Sequence, residues 1–86
     1  MDGTSLALLL LTPRRQVVTT TADAVYLPGI MGELGILPGH TPLLALLGIG
    51  ELRYTMAGRD RYYVVSGGFA EVSDDKVTVL ADLALR

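Results

Sequence analysis

The stretch ELRYTMAGRDRYYVV, residues 51–65, carries the pattern that decides the fold. In its first half apolar and polar side chains alternate, and the apolar ones are Leu52, Tyr54 and Met56. This period of two is typical of a strand with one buried and one exposed face. Ala57-Gly58-Arg59-Asp60 predicts a hairpin turn into a second strand, and strands joined by so short a turn run antiparallel. The stretch therefore predicts an antiparallel β fold.

The same kind of short β run, separated by turn residues, continues in both directions along the chain. We predict eight or nine strands, at residues 6–11, 16–21, 24–27, 34–37, 43–47, 51–56, 61–65, 69–72 and 76–80. Strands at this spacing predict an all-β domain, an antiparallel β-sandwich or flattened barrel, that includes the whole chain from 1 to 86. We predict a bulge or tight turn at Gly67-Gly68. Only residues 81–86 could begin a helix.

Composition limits the classes of function. Half of the 86 residues are hydrophobic and the mean hydropathy is +0.44, so either the core is rich in aliphatic residues or apolar surface is covered by partners. The net charge is −2 and the only adjacent basic pair is Arg14-Arg15, which argues against nucleic-acid binding. With no cysteine, disulfides and thiolate chemistry are excluded.

The longest apolar run near the N-terminus, Leu6–Leu11, is interpreted as a buried strand. A membrane-spanning helix needs about 20 apolar residues, so we predict no transmembrane segment. The run also lacks the flanking charges and small-residue cleavage pattern of a signal peptide. A cytoplasmic or organelle-matrix location is therefore the default expectation.

Residues that could carry catalysis or bind metal are few. His40 is the sole histidine, and none of the serines that could join it in a triad lies in a G-x-S-x-G motif. One histidine and scattered carboxylates give no recognisable metal-ligand spacing. We predict no catalytic, metal or cofactor site, and we assign His40 a structural or interface role.

Glycine and proline are concentrated between Pro28 and Pro42, which predicts a rigid loop with several special turns. Ile30 and Met31 lie between two glycines of this loop. We predict that they form an exposed apolar tip that docks on a partner. The alternative is that both side chains fold back onto the domain's own core.

Two longer segments resemble one family. GELGILPGHTPLLALLGIGELRY (32–54) and YYVVSGGFAEVSDDKVTVLADLA (62–84) are similar to the N-terminal domain of the epsilon subunit of F-type ATP synthase. Motif positions match in order and spacing over residues 5–84: Gly32-Glu33-Leu34-Gly35-Ile36, Pro38-Gly39-His40, Pro42-Leu43-Leu44, Ser66-Gly67-Gly68, Glu71-Val72 and Val77-Thr78-Val79-Leu80-Ala81-Asp82. A two-part match of this length is far more specific than a lone motif.

The resemblance implies a β-sandwich of about ten strands that acts as a non-catalytic rotor part of the central stalk. It implies no cofactor, and its partners would be the gamma subunit and the c-ring, whose ion flow it couples to ATP synthesis. Such a chain is peripheral to the membrane, at the cytoplasmic face of the bacterial inner membrane. The implied c-ring contacts are Ile30, Met31, Gly32 and Glu33. The implied gamma contacts are Thr12, His40, Thr41, Pro42 and Ala45.

Two features depart from the family pattern. Family members continue into a C-terminal helical hairpin that can restrain ATP hydrolysis, and this chain ends at Arg86, so we expect the hairpin to be absent from it. Leu6–Leu11 is also more uniformly apolar than the family's first strand. We expect extra apolar surface there.

Two other classes of function compete with the rotor part. A small β-sandwich that binds a ligand would present clustered aromatic and amide side chains, but the chain has one glutamine and no asparagine or tryptophan. An enzyme built on His40 would place a carboxylate or serine within hydrogen-bond reach of the imidazole.

Overall fold

A computed structural model describes residues 5–86 of the chain. These residues form ten strands: Leu6–Leu11 (β1), Gln16–Ala22 (β2), Ala24–Gly29 (β3), Gly32–Ile36 (β4), Leu43–Leu46 (β5), Ile49–Met56 (β6), Arg59–Ser66 (β7), Phe69–Ser73 (β8), Lys76–Leu80 (β9) and Leu83–Leu85 (β10). The all-β prediction and the ten strands that the resemblance implied are confirmed. Within the described residues no helix is long and apolar enough to cross a membrane.

The strands form two five-stranded sheets. Sheet I has the order β2-β1-β9-β8-β5, and sheet II has the order β10-β7-β6-β3-β4. The sheets face each other without closing, so the structure is a sandwich rather than a flattened barrel. Both sheets leave edge strands: β2 and β5 in sheet I, β10 and β4 in sheet II.

Strand direction departs from the prediction at one place. All neighbours are antiparallel except β1 and β9, which pair in parallel from Ala7↔Lys76 to Leu11↔Leu80. A short turn forces antiparallel pairing only on strands that follow each other in the chain. Since β1 and β9 are far apart in sequence, no turn between them fixed their direction.

The core lies between the sheets and is wholly apolar, with no buried polar or charged side chain among residues 5–86. Its largest fully buried side chains come from both sheets: Leu6, Leu8, Leu10, Leu27, Ile36, Leu52, Val25, Val65, Val72, Val77 and Val79. Each contributes by removing apolar area from water, about 25 cal/mol per Å². This packing gives the two outer faces a stiff support.

Leu6–Leu11 was predicted to be a buried strand, and the strand is confirmed, but only one of its faces is fully buried. Leu6, Leu8 and Leu10 point into the core, whereas the alternate residues Leu9 and Leu11 are half-buried on the outer face of sheet I. A run of leucines hides this alternation because both faces carry the same side chain. The expected extra apolar surface is therefore present on the outer face of this strand.

The predicted helix start at residues 81–86 is wrong. Leu83–Leu85 forms the short strand β10, which pairs with β7 through Leu83↔Ser66 and Leu85↔Val64. Ala84 is buried and the two leucines are exposed. Three residues are too few to show a period of two, so the pattern could not be distinguished from a helix start.

Candidate functional site

The β3–β4 hairpin presents the residues predicted to meet the c-ring. Gly29 pairs with Gly32, and Ile30-Met31 forms the two-residue turn between them. Ile30 is 59% exposed and Met31 is 94% exposed. Glu33 follows in β4, also exposed, opposite Pro28. The structure therefore gathers residues 30–33 into one hairpin tip, and the alternative in which Ile30 and Met31 pack on the core is wrong.

A shallow apolar pocket of about 290 Å³ lies between this hairpin tip and strand β5. Leu34 and residues 43–46 line it from the sandwich side, and Ile30 and Met31 line it from the tip. The amide of Ile30 donates to the carbonyl of Leu46 (3.1 Å), which ties the tip to β5. The tip is thus held at a fixed position beside an apolar surface.

The loop that carries His40 is fastened to a distant turn. Gly39 has a φ of +87°, and its amide donates to Oδ1 of Asp75 at 2.7 Å. Asp75 lies in the β8–β9 turn, and its own carbonyl accepts from the amide of Ala7 at 2.9 Å. One residue therefore holds together the 38–42 loop, the β8–β9 turn and the start of β1.

The His40 imidazole has a backbone partner. Its Nδ1 lies 2.6 Å from the carbonyl oxygen of Thr41. A carbonyl only accepts, so Nδ1 carries the proton and donates. The half-buried ring thus bonds to the backbone of its own loop. No serine or carboxylate among residues 5–86 forms a hydrogen bond with it, so there is no catalytic triad. No group of three or more histidine, aspartate or glutamate residues within the described part of the chain could hold a metal.

The five residues predicted to face gamma do not form one cluster. Thr12 follows the C-terminal end of β1, where its hydroxyl accepts from the amides of Arg14 and Arg15 (both 3.3 Å). His40, Thr41 and Pro42 lie near the β8–β9 turn, at the opposite end of sheet I. Ala45 is half-buried in β5, with Ala70 opposite it. The sequence match alone did not reveal this separation.

An apolar row on the outer face of sheet I crosses the strands at the end where Thr12 lies. Register aligns Leu11 with Leu80, Leu80 with Phe69, and Phe69 with Leu46, across β1, β9, β8 and β5. Leu80, Phe69 and Leu46 are 37%, 41% and 60% exposed. Sequence reasoning missed the apolar row because the pairing of distant strands is not readable from one sequence, although outward leucines in β5 and β9 were a signal.

Sheet II has an apolar patch on its own outer face, near the C-terminal strand. Ile49 and Leu83 both pair with Ser66, and Leu85 pairs with Val64. All four apolar side chains, Ile49, Val64, Leu83 and Leu85, are exposed. Part of the hydrophobic excess of the sequence therefore lies on the surface, which is what the interpretation as exposed apolar surface required.

The Asp75 contact yields a testable prediction about the His40 loop. Asp75→Gly removes the carboxylate while tolerating the φ of +58° at this position. We expect hydrogen exchange of the Gly39 amide to accelerate and the free energy of unfolding to fall by about 1 kcal/mol, the usual value of one hydrogen bond. Asp75→Asn keeps an acceptor and tolerates the same φ, so it is the control. Equal Gly39 exchange in all three proteins would contradict the assignment.

These features define a class: a small, close-packed β-sandwich with exposed apolar surfaces and a protruding hairpin tip. The family model "ATP synthase, Delta/Epsilon chain, beta-sandwich domain" matches residues 5–86, and the chain belongs to this family.

Individual relatives agree. The chain is 54% identical over 82 residues to the ATP synthase epsilon chain of Nitratidesulfovibrio vulgaris strain Miyazaki F, covering 95% of this chain and 61% of that one. It is 50% identical over 80 residues to the epsilon chain of Lawsonia intracellularis, covering 93% and 60%. The chain thus spans about three fifths of the length of these relatives.

Solved structures share the fold. A chain of the Euglena gracilis mitochondrial ATP synthase OSCP/F1/c-ring assembly superposes with a TM-score of 0.89 at 28% identity, covering 99% of this chain and 57% of that one. A chain of the Tetrahymena thermophila central stalk/c-ring assembly gives 0.79 at 15% identity, covering 93% and 65%. The second likeness concerns the fold alone.

Proposed function

We propose that this chain is a non-catalytic part of the ATP synthase rotor, in the central stalk, which couples ion flow through the c-ring to ATP synthesis by bridging gamma and the c-ring. The observation that carries the proposal is the presence of two separate exposed surfaces, the hairpin tip and the apolar row, on one rigid sandwich in a member of this family. In this proposal residues 1–86 act as one domain.

The hairpin tip is the proposed c-ring surface. Met31 and Ile30 project from a two-residue turn, and the hydrogen bond from Ile30 to Leu46 fixes the direction of the tip. Gly32, with a φ of +131°, shapes the turn. Glu33 adds a carboxylate that would pair with a polar or basic group of the ring. Contact by a short, fixed tip suits a part that must not slip under load.

Charge reversal at the tip tests this surface. We expect Glu33→Arg to weaken binding to the c-ring in a reconstituted rotor by about tenfold, because one attractive contact becomes repulsive. Glu51→Arg, on the outer face of sheet II, makes the same charge change away from the tip and should leave c-ring binding unaltered. Unchanged binding of Glu33→Arg would remove the tip from the c-ring interface.

The apolar row is the centre of the proposed gamma surface. A partner lying across the outer face of sheet I would meet Thr12 at one end and the His40–Pro42 loop at the other. At the Thr12 end it would cover Leu80, Phe69 and Leu46. Interface cores are depleted of charge and enriched in aromatic residues, as this row is. Covering the row would also remove exposed apolar area from water.

Mechanically, the domain would act by stiffness. A close-packed interior has low compressibility, so force applied at the hairpin tip reaches the outer face of sheet I with little deformation. Strand β5 joins the tip to the row. Its Leu46 belongs to the row, and the carbonyl of Leu46 accepts from the amide of Ile30 in the tip. The two proposed interfaces are thus joined by a single element.

The proposed setting is the cytoplasmic face of the bacterial inner membrane, with the chain peripheral and bound through the complex. Its relatives are bacterial epsilon chains, which supports this location. A small ligand-binding module unrelated to ATP synthase is not favoured, since the family match covers residues 5–86.

A further inference from the structure

Arginine and tyrosine side chains form a row on the inner side of β7. Strand alternation divides β7 into two sets, and Arg59, Arg61 and Tyr63 lie opposite Met56, Tyr54 and Leu52 of β6. Leu52 and Tyr54 are buried between the sheets, so this set of β7 residues is on the inner side. Within this set Arg59 and Arg61, near the N-terminal end of β7, are exposed, and Tyr63 is half-buried. Sheet II therefore extends beyond sheet I at the N-terminal end of β7.

A groove follows this row. One pocket of about 380 Å³ is lined by Thr20, Tyr54, Met56, Arg59 and Arg61, with Ala57 at its end. Another of about 340 Å³ is lined by Arg15, Val17, Tyr63, Ala84, Leu85 and Arg86. The two adjoin because Arg61 and Tyr63 are on the same face of one strand, about 7 Å apart. We call this combined surface the arginine groove.

The groove concentrates positive charge in a chain whose net charge is −2. Arg15, Arg59, Arg61 and Arg86 line it, and no aspartate or glutamate does. Asp23 lies beside the Ala57 end of the groove, where it accepts from the amide of Ala57 at 3.1 Å.

Two of the three basic residues elsewhere have acidic neighbours. Arg53 pairs with Asp60 at 3.9 Å on the other side of β7, the only ion pair among residues 5–86. Lys76 shares a polar pocket with Glu71 and Asp74. Clustered like charges repel each other, so a groove lined by four arginines and by no aspartate or glutamate favours an anionic partner.

Two of the arginines act on the same tyrosine, Tyr54. Burial raises the pKa of its phenol, the neighbouring Tyr63 adds to the rise, and the guanidinium groups of Arg61 and Arg86 act in the opposite direction. Both cations therefore act on one ring, although Arg61 is on β7 and Arg86 follows β10.

The shape of the groove favours a peptide in extended conformation. Its basic row has the period of alternate residues in a strand, about 7 Å, which matches carboxylates on every second residue of an extended segment. The edge strand β2 lines the opposite wall with Val17 and Thr20, and its outer edge has no partner strand among residues 5–86. Such an edge can pair with an added strand.

We propose that the arginine groove binds an acidic segment of a partner protein in extended conformation, with carboxylates on alternate residues facing Arg59, Arg61 and Arg86. This contact is separate from the hairpin tip and the apolar row. Val17 and Tyr63 provide apolar contact for the intervening part of the segment.

The test uses the 86-residue chain and a fluorescein-labelled peptide of alternating glutamate and valine, followed by fluorescence anisotropy. We expect saturable binding that weakens markedly at about 0.2 M NaCl, because the attraction is between exposed charges. Arg61→Gln and Arg86→Gln should each weaken it by about threefold or more. Lys76→Gln removes one positive charge outside the groove and should bind as the parent does.

Three results would overturn the proposal. They are equal binding of an alternating lysine and valine peptide, unchanged affinity in both arginine variants, and displacement of the peptide by an equal concentration of pyrophosphate. The last would assign the groove to a small polyvalent anion. A circular dichroism spectrum of each variant that matches the parent ensures that a loss of binding is not a loss of fold.

Discussion

Gly68→Ala is expected to destabilise the fold by about 3 kcal/mol or more, the upper part of the range for single substitutions. Gly68 has a φ of +101°, which side chains rarely adopt. A Cβ at this position would overlap the carbonyl oxygen of Leu80 and lie 2.8 Å from the Cα of Ala81. Both neighbours are backbone atoms of the segment leading from β9 to β10, so neither can rotate away.

Gly58→Ala is the matched control for this substitution. Gly58 also has a positive φ, +77°, but no atom lies within 4 Å of the added Cβ. We expect Gly58→Ala to lower the free energy of unfolding by about 1 kcal/mol, from backbone strain alone. Urea denaturation of the parent and both variants gives the comparison through the midpoint and its slope. Equal losses in the two variants would show that close contact at Gly68 is not what requires glycine there.

Phe69→Asp is expected to have the largest effect on partner binding. Phe69 lies in the middle of the apolar row, between Leu80 and Leu46. An aspartate there would place an unpaired charge at the centre of the proposed gamma interface, costing about 2 kcal/mol or more, roughly thirtyfold in affinity. The measurement is the dissociation constant for a purified gamma subunit, by calorimetry or surface plasmon resonance.

Leu83→Asp provides the control for that charge. Leu83 is an exposed leucine on the outer face of sheet II, on the opposite side of the sandwich. It should leave gamma affinity within about threefold of the parent. Thermal unfolding of both variants separates binding from stability, since each replaces a surface residue of a strand. A gamma affinity reduced equally by both variants would argue against the apolar row as the interface.

Local strand structure was predictable from the sequence because it depends on neighbouring residues. The alternation in residues 51–56 predicted β6, and the structure confirms it. The hairpin turn predicted over residues 57–60 is shorter, Ala57-Gly58, because Arg59 and Asp60 already pair with Met56 and Thr55. The Gly67-Gly68 turn was also predicted, and both glycines have positive φ. The short strand β10 was missed because three residues carry too little pattern.

Relations between distant strands were not predictable in the same way. The parallel pairing of β1 with β9 and the alignment of Leu11, Leu80, Phe69 and Leu46 depend on register, which the hydrophobic pattern of a single strand does not encode. The hairpin tip was predicted because its residues are contiguous. Of the five residues predicted to face gamma, Thr12 is far in sequence from the other four, so only the structure shows that they do not form one cluster.

The same limit explains why neither the Asp75 contact nor the arginine groove could be predicted from the sequence. In the sequence Asp74-Asp75 is typical of a turn, and nothing local indicates that one carboxylate reaches Gly39. Arg15, Arg61 and Arg86 are spread over the chain and meet only through sheet packing. Sites built from several strands require the tertiary structure to be seen.

Joint binding to gamma and the c-ring is the central claim, and one co-purification tests it most directly. The 86-residue chain, carrying an affinity tag, is mixed with a gamma subunit and a c-ring from the same source and then isolated. The account predicts that both are recovered with the chain, and that Phe69→Asp loses gamma more than Glu33→Arg does. Recovery of neither partner with the parent chain would contradict it.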